Sequence, residues 1–339
     1  MDDIGRKSET ENRKIQHLNI CAEEKVESSW SGFEDIHLVH NAMPEVDKSA
    51  IGLSVNFLGH KFRAPLLIAS MTGGHAETKK VNAALAAAAE ELGIGMGVGS
   101  QRAALENLDL EDTFSVVRDF APTAFIFGNI GAAQLQKYGI EGVEKAVEMI
   151  DADAIAIHLN FLQEAIQPEG DVNAKGALAE IREICKASKV PVIVKETGAG
   201  ISHVVAWKLK EAGVDAIDVG GLGGTSFAGV EYYRAKAEED AVRESLGRLF
   251  WSWGIPTAIS VVEANVSVEI PVIATGGIRS GLDAAKALAL GASLSGVALP
   301  LVKPALDGEK AVVKRLNLMI EELKVAMFLT GSAKVDDLK

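Results

Sequence analysis

Eight short apolar runs, interleaved with helix-like stretches, restrict this chain more than any other feature. They are "APLLIAS" (64–70), "IGMGVGS" (94–100), "AFIFGNI" (124–130), "AIAIHLN" (154–160), "VPVIVKE" (190–196), "VDAIDVG" (214–220), "IPVIATG" (270–276) and "SLSGVAL" (293–299). Each is short, β-branched or punctuated by glycine, and bounded by turn residues, the pattern of strands buried on both faces. Between them the spacing predicts amphipathic helices over 78–92, 139–150, 174–188, 201–212, 257–267 and 280–290. Eight buried strands alternating with helices predict a (β/α)8 TIM barrel, class α/β, over residues 64–339. A doubly wound open sheet is the alternative, although it usually has fewer strands and an evident switch point. Residues 1–63 form an N-terminal extension whose "SAIGLSVNFLGHKF" reads as a hairpin placed to cap the bottom of the barrel. Residues 221–256 are too long for an ordinary strand-to-helix connection and read as a functional loop or lid.

The formal net charge of −13 makes the chain a poor general nucleic-acid binder, because phosphate contact needs a basic face. A small anionic substrate held by local cations remains compatible with it. The two cysteines, Cys21 and Cys185, have no metal or redox spacing, and Cys185 reads as a core thiol on an amphipathic helix. The first residues, "MDDIGRKSETENRK", carry no apolar signal segment. No run of about 20 apolar residues appears. A soluble, cytoplasmic protein with no membrane partner is expected.

The strand ends carry the chemistry. "DADAIAI" runs into "HLNFLQEAIQPEGD" (158–171), so an apolar strand ends in an imidazole, two amides and a carboxylate. A strand that merely turns to solvent needs glycine, aspartate or serine. Alternation puts His158 and Asn160 on one face and Ile157 and Leu159 on the other. Gln163 and Glu164 follow on the loop above. A lone histidine here would be a satisfied structural residue, but four polar groups at one strand end point to a site. The other strands end in "SMTGG", "GSQR", "GNIG", "KETGAG", "DVGGLGGTSF" and "TGGIRSG", and active sites in this fold sit at the C-terminal strand ends. "ATGGIRSGLDAAKALALGA" (274–292) and "GVALP" (296–300) lie where barrels grip phosphate with backbone N–H groups and a helix N-terminus. Gly276 and Gly277 allow close approach and Arg279 can add a bidentate contact; the alternative is a tight turn that simply needs glycine. Lys195, Asn129 and the "SMTGG" backbone could surround a flat heteroaromatic ring, with Lys195 stabilising a reduced flavin. A Schiff-base lysine of an aldolase-type barrel stays open. "GGLGGT" (220–225) opens no helix in a βαβ unit, so it is not a dinucleotide fingerprint.

Taken together, "RKIQH", "SMTGG", "GSQR", "GNIGA", "HLNFLQE", "KETGAG", "DVGGLGGTSFAGVE" and "ATGGIRSGLDAAKALALGA" resemble the type 2 isopentenyl-diphosphate isomerases, in motif order, from about residue 13 to 330. "HLN" followed by "QE" is the most specific piece, whereas "TGGIRSG" is common to many FMN barrels. The resemblance implies FMN, Mg2+, and NAD(P)H as the reductant that keeps the flavin reduced. It also implies reversible transposition of a double bond between isopentenyl and dimethylallyl diphosphate, and a homo-oligomer of four or eight chains. Carried over by motif, FMN contacts fall on Met71, Thr72, Gly73, Ser100, Asn129, Lys195, Thr225, Gly276, Gly277, Ile278, Arg279, Ala298 and Leu299. Substrate contacts fall on Arg13, Lys14, His17, Ser100, Gln101, Arg102, His158, Asn160 and Gln163, and the Mg2+ ligand on Glu164. Of the two "RK" pairs only Arg13-Lys14 is followed by a histidine three residues on, so Arg6-Lys7 reads as solvated tail. Phe227 stands where the family often has tryptophan.

Such a reaction adds a proton to the terminal alkene carbon and removes another, through a cationic transition state that an electron-rich ring face could support. Gln163 cannot titrate and is expected to orient substrate or relay through water. Glu231 is the protein-side candidate for a second proton carrier, against its alternative as a solvated helix residue. An FMN-dependent 2-hydroxy-acid oxidoreductase of the same barrel class is the competing activity, and a non-catalytic flavoprotein the competing class.

Overall fold

The computed structural model describes the backbone of residues 2–339 and the side chains of residues 13–339; Arg6 and Lys7 fall outside the described side chains. Every one of the eight apolar runs contains a barrel strand. They are β1 (Leu66–Ile68), β2 (Gly95–Gly97), β3 (Ile126–Gly131), β4 (Ala154–Leu159), β5 (Val192–Glu196), β6 (Ala216–Asp218), β7 (Val272–Ala274) and β8 (Leu294–Val297). All pair in parallel with their chain neighbours, and β8 pairs with β1 to close the ring. Closure rules out the open doubly wound sheet. It also explains the near-continuous apolar runs, since helices cover the outside and side chains fill the inside. Only the last residue of β4, Leu159, is less than fully buried in the barrel strands.

Outer helices fall where the periodicity placed them, at Thr78–Leu92, Leu135–Met149, Ala177–Ala187, His203–Glu211, Thr257–Asn265 and Gly281–Ala289. The second starts earlier than expected because Gly139, at φ 55°, breaks two helical segments that run together.

The hairpin pairs Val55–Phe57 with His60–Phe62. Phe57 and Phe62 pack against Phe125, just ahead of β3, with ring centroids 5.8 and 5.6 Å from it and 6.0 Å from each other. The Arg63 N–H donates to Gly93 O, ahead of β2. The extension therefore plugs the N-terminal end of the barrel, as expected. Its other part, helix α1 (Asp2–Glu23), lies at the opposite, C-terminal end, where Arg13, Lys14 and His17 join residues of the strand ends.

Residues 221–256 depart from the expectation of a loop. They form a helical pair, α3 (Phe227–Ala237) and α4 (Ala241–Leu249), with a short helix α2 (Phe161–Ile166) beside them after β4. Ser226 and Asp240 cap the pair, accepting from the N–H groups of Gly229 and Arg243 at 3.0 Å each. Tyr232, Tyr233 and Trp251 pack edge to face beneath it. Among the described residues no helix is long and apolar enough to cross a membrane.

Candidate active site

One cavity opens at the C-terminal strand ends. Its wall takes residues from all eight strand ends and from α1. Of the residues expected there, Arg13, Lys14, His17, Met71, Thr72, Ser100, Arg102, Asn129, His158, Asn160, Gln163, Glu164, Lys195, Thr225, Gly276, Gly277, Ile278, Arg279, Ala298 and Leu299 line it. Phe227 lines it too, its ring edge-on to the His17 imidazole at 6.1 Å.

The barrel register sets the floor. His158, Lys195 and Asp218 are directly paired across β4, β5 and β6. Asn129 Nδ2 donates to Val98 O at 3.1 Å, which turns its Oδ1 toward His158 Nδ1, 2.8 Å away. His158 therefore keeps its proton on Nδ1 and donates it in a hydrogen bond to Asn129 Oδ1. Burial, then the charges of Lys195, Lys14 and Arg13, hold His158 well below the usual imidazole range, so it is neutral near pH 7. Lys195 Nζ donates to Glu196 O at 2.9 Å. The Asp218 carboxyl is raised by burial, against Lys195 and the Thr275 hydroxyl that donates to it at 2.5 Å.

Above the floor, α2 presents Gln163 and Glu164, both buried. Glu164 accepts from Asn160 Nδ2 at 3.0 Å, Gln167 Nε2 at 2.6 Å and the Asp171 N–H at 2.7 Å. Gln163 Nε2 donates to Glu231 Oε1 at 3.1 Å, and the same oxygen meets His17 Nε2 at 3.1 Å. Burial pushes the Glu231 carboxyl up, but the His17 contact, the charges of His17 and Arg234, and the Gln163 amide together leave it below the usual glutamate range. Lys14 Nζ reaches Ser100 O at 3.3 Å. Burial, then Arg13 and Arg102, lower Lys14 to about 7.

Several expectations need correction. Gln101 is fully buried and faces away from the cavity: its amide donates to Ala146 O at 2.7 Å and accepts from the Asn129 N–H at 2.9 Å, tying β2 to β3. Gly73 is dictated by its φ of 138° and by the Phe114 ring, which would sit 2.1 Å from an added Cβ. Gly276 and Gly277 have positive φ and press on Gly221 O and Ser31, where an added Cβ would lie at 2.2 and 2.6 Å. These two glycines therefore answer to packing between the β6 and β7 loops, and their presence alone does not argue for phosphate. Arg279 does not stand open: its Nε donates to Glu27 Oε1 at 2.6 Å. Glu231 is not a solvated helix residue; it is buried behind the cavity wall and touches the cavity through Gln163 and His17.

The cavity suits a polar, anionic ligand of considerable size. Among the described residues, Ser70 Oγ and Gln134 Nε2 are buried without a hydrogen-bond partner and both residues line this one cavity, whereas Arg279 Nη2 lies 2.5 Å from Glu27 Oε1. Buried polar groups are normally paired, so their convergence marks where ligand atoms belong. Lys195 lines the same cavity, and together these donors suit the acceptor-rich, anionic edge of a reduced flavin. The loop 276–279 faces Ala298 and the start of the helix Leu299–Asp307, which matches a phosphate tail. Among the described residues there is no group of three metal-ligating side chains. A divalent ion at Glu164 would draw its other ligands from water and substrate oxygens, as Mg2+ commonly does. Cys21 also lines the wall, but burial holds its thiol up to about 12, which leaves it no nucleophile.

Sequence reasoning overlooked Ser70, Gln134, Glu196, Gln167, Glu169 and Arg234. Ser70 shares the strand-end alternation of Thr72, a signal that was available. Glu196 accepts N–H groups from Thr197, Gly198 and Ala199 at 2.5 to 2.7 Å and shapes the β5 loop. Burial pushes its carboxyl up to about 7.

The sequence matches the FMN-dependent dehydrogenase family over residues 8–117 and 167–339. It is 60% identical to an isopentenyl-diphosphate delta-isomerase of Methanosarcina barkeri over 98% of this chain and 91% of that protein. It is 57% identical to that of Archaeoglobus fulgidus (97% and 94%) and 56% identical to that of Halobacterium salinarum (98% and 92%). Among solved structures, a lactate oxidase from Pediococcus acidilactici superposes with a TM-score of 0.64 at 18% identity, over 99% of this chain and 92% of that one. A mandelate oxidase superposes with 0.63 at 17% identity, over 95% and 92%. At that identity these two share the fold alone.

Proposed function

The chain belongs to the FMN-dependent dehydrogenase family and, within it, to the isopentenyl-diphosphate delta-isomerases; from that premise we propose how its residues divide the work. The substrate is isopentenyl diphosphate, converted reversibly to dimethylallyl diphosphate for isoprenoid biosynthesis. One proton arrives at the terminal alkene carbon and another leaves the carbon next to the one bearing oxygen, with no net redox change. The observation that carries the division is the join between α1 and α2, where Arg13, Lys14 and His17 meet Asn160, Gln163 and Glu164 on one cavity wall.

The diphosphate lies at the cationic side of that wall. Arg13, Lys14 and Arg102 supply charge there, and His158 and Asn160 supply polar contacts from β4. A protein at −13 can bind such an anion because these cations sit together inside a low-dielectric cavity. Glu164 would hold Mg2+ together with diphosphate oxygens and water. FMN, with NAD(P)H as its reductant, would supply an electron-rich ring that favours cationic character in the substrate. Lys195 and the 276–279 and 298–299 segments are the residues that would hold it, by charge and by backbone N–H groups. Phe227 and Met71 wall the hydrocarbon part and exclude water. Glu231, ionised at neutral pH, accepts a proton by way of a water that the Gln163 amide, its Nε2 fixed against Glu231, orients. A homo-oligomer belongs to this reading, and light scattering that gives a monomer mass would remove it.

The test is anaerobic turnover of isopentenyl diphosphate by FMN-loaded protein with Mg2+ and NAD(P)H. Dimethylallyl diphosphate forms only with reduced flavin, and NAD(P)H is not consumed in proportion. Removing Mg2+ with chelator abolishes turnover. Glu231→Gln lowers kcat by about 100-fold or more, the usual scale for a lost proton carrier. An unchanged kcat in that variant would remove Glu231 from the chemistry. An FMN-loaded enzyme whose oxidised flavin is reduced by a 2-hydroxy acid, with no turnover of isopentenyl diphosphate once reduced, would support the oxidoreductase reading instead.

A further inference from the structure

Arg234 lies outside the cavity wall yet joins three elements that meet there. Its Nε donates to Gln16 Oε1 of α1 at 3.2 Å, its Nη1 donates to Glu231 Oε2 of α3 at 2.7 Å, and its Nη2 lies 3.2 Å from Glu169 Oε1, in the segment after α2. Glu169 Oε1 also accepts from Arg13 Nη1 at 3.2 Å. The result is an alternating chain of charges, Arg13–Glu169–Arg234–Glu231, ending on the His17 and Gln163 contacts. Residues 13, 16 and 17 share one face of α1 by their spacing, so this chain is the polar seam by which the helix lies on the site. Lysine could not replace the hub, because three partners in three directions need the planar fork of a guanidinium.

We propose that Arg234 is a positioning residue: it docks α1 onto the α2–α3 wall, and thereby fixes Arg13 for the diphosphate and Glu231 for proton transfer. The docking stands on geometry alone, while its effect on turnover rests on the isomerase reading. Without Arg234 the buried Glu231 and the half-buried Glu169 lose their shared cation, which is costly for the buried carboxylate. The groups facing Glu231 are His17 of α1, Gln163 of α2 and Arg234 on its own helix, with Arg13 and Glu169 one step further along. Loss of the Arg234 charge leaves His17 and Gln163 to hold Glu231 ionised, so its titration moves to higher pH.

The test uses full-length, FMN-loaded protein carrying Arg234→Met, Arg234→Lys or Glu169→Gln. In Arg234→Met, amide exchange across residues 13–23 accelerates and KM for isopentenyl diphosphate rises at least about tenfold, a modest penalty for a misplaced clamp. The acid limb of the kcat profile moves upward. Arg234→Lys restores these only in part, because an ammonium cannot serve all three partners. Should Arg234→Met fail to fold or retain FMN, Glu169→Gln decides, since it breaks the same chain at its more exposed link. It must show the faster exchange and raised KM. Wild-type exchange and KM in a folded, loaded variant overturn the assignment. A wild-type enzyme without isomerase turnover overturns the reading of the reaction instead, and the exchange measurement still decides the docking.

Discussion

Lys14 shows how far a single side chain can be moved by its surroundings. It sits between Arg13 and Arg102 in a buried cleft, and its ammonium titrates near 7. In the free enzyme it is charged below that pH and neutral above it. kcat/KM for an anionic diphosphate, which reports the free enzyme, is therefore expected to be level below about pH 7 and to fall as pH rises through it. Glu196 also titrates near 7, so the profile alone does not name the group. Lys14→Arg keeps the charge and moves the limb to the alkaline end, and Lys14→Gln lowers kcat/KM and removes the limb. The same limb persisting in Lys14→Gln would assign it elsewhere. Much at this scale was legible: the pairing of His158 with Asn160 followed from strand alternation. Gln101 was not legible, because a polar residue next to Ser100 and Arg102 in sequence can turn into the space between β2 and the outer helix.

Elements divide the molecule into ends with separate duties. The hairpin 55–62 closes the N-terminal end through Phe57, Phe62 and Phe125 and touches nothing in the cavity. Phe62→Ala is expected to cost about 3–5 kcal/mol of stability, as for other buried aromatic truncations, while leaving KM unchanged. Urea unfolding and steady-state kinetics on the same preparation check both halves. A raised KM would mean that the two ends are coupled. The 221–256 segment illustrates the limit of reading elements from sequence. Its length was evident, but α3 has almost no apolar periodicity, because it packs against α1, α2 and α4 at once rather than laying one face on the barrel; α4 is amphipathic, and its periodicity was readable. The caps at Ser226 and Asp240 were the other available signal.

Taken whole, the molecule is an acidic barrel with one cationic mouth. Ligand binding to the native state alone stabilises by mass action, by about 2.7 kcal/mol at a hundred times Kd. FMN is expected to raise the thermal midpoint in a concentration-dependent way, and riboflavin, which lacks the phosphate, to raise it much less. Equal shifts from both would remove the 276–279 and 298–299 segments from the phosphate's site. Added salt is expected to raise KM for the diphosphate only modestly, since charges buried in the mouth are screened less than surface ones.

Sequence by itself determined the barrel, its strand count, the rim on which the site lies and most of the residues on it. Those follow from local rules: period two within a strand, buried runs between helices, and polar residues at strand ends. Tertiary structure decided which polar side chains converge. It put Gln101 and Gly73 outside the site, spent Arg279 on Glu27, turned a long loop into the helices that hold Glu231, and joined Gln16 to Arg234 and His17 to Glu231 across more than 200 residues of chain. No spacing rule reaches that far, because such contacts are fixed only when the closed ring brings its first and last thirds to the same mouth.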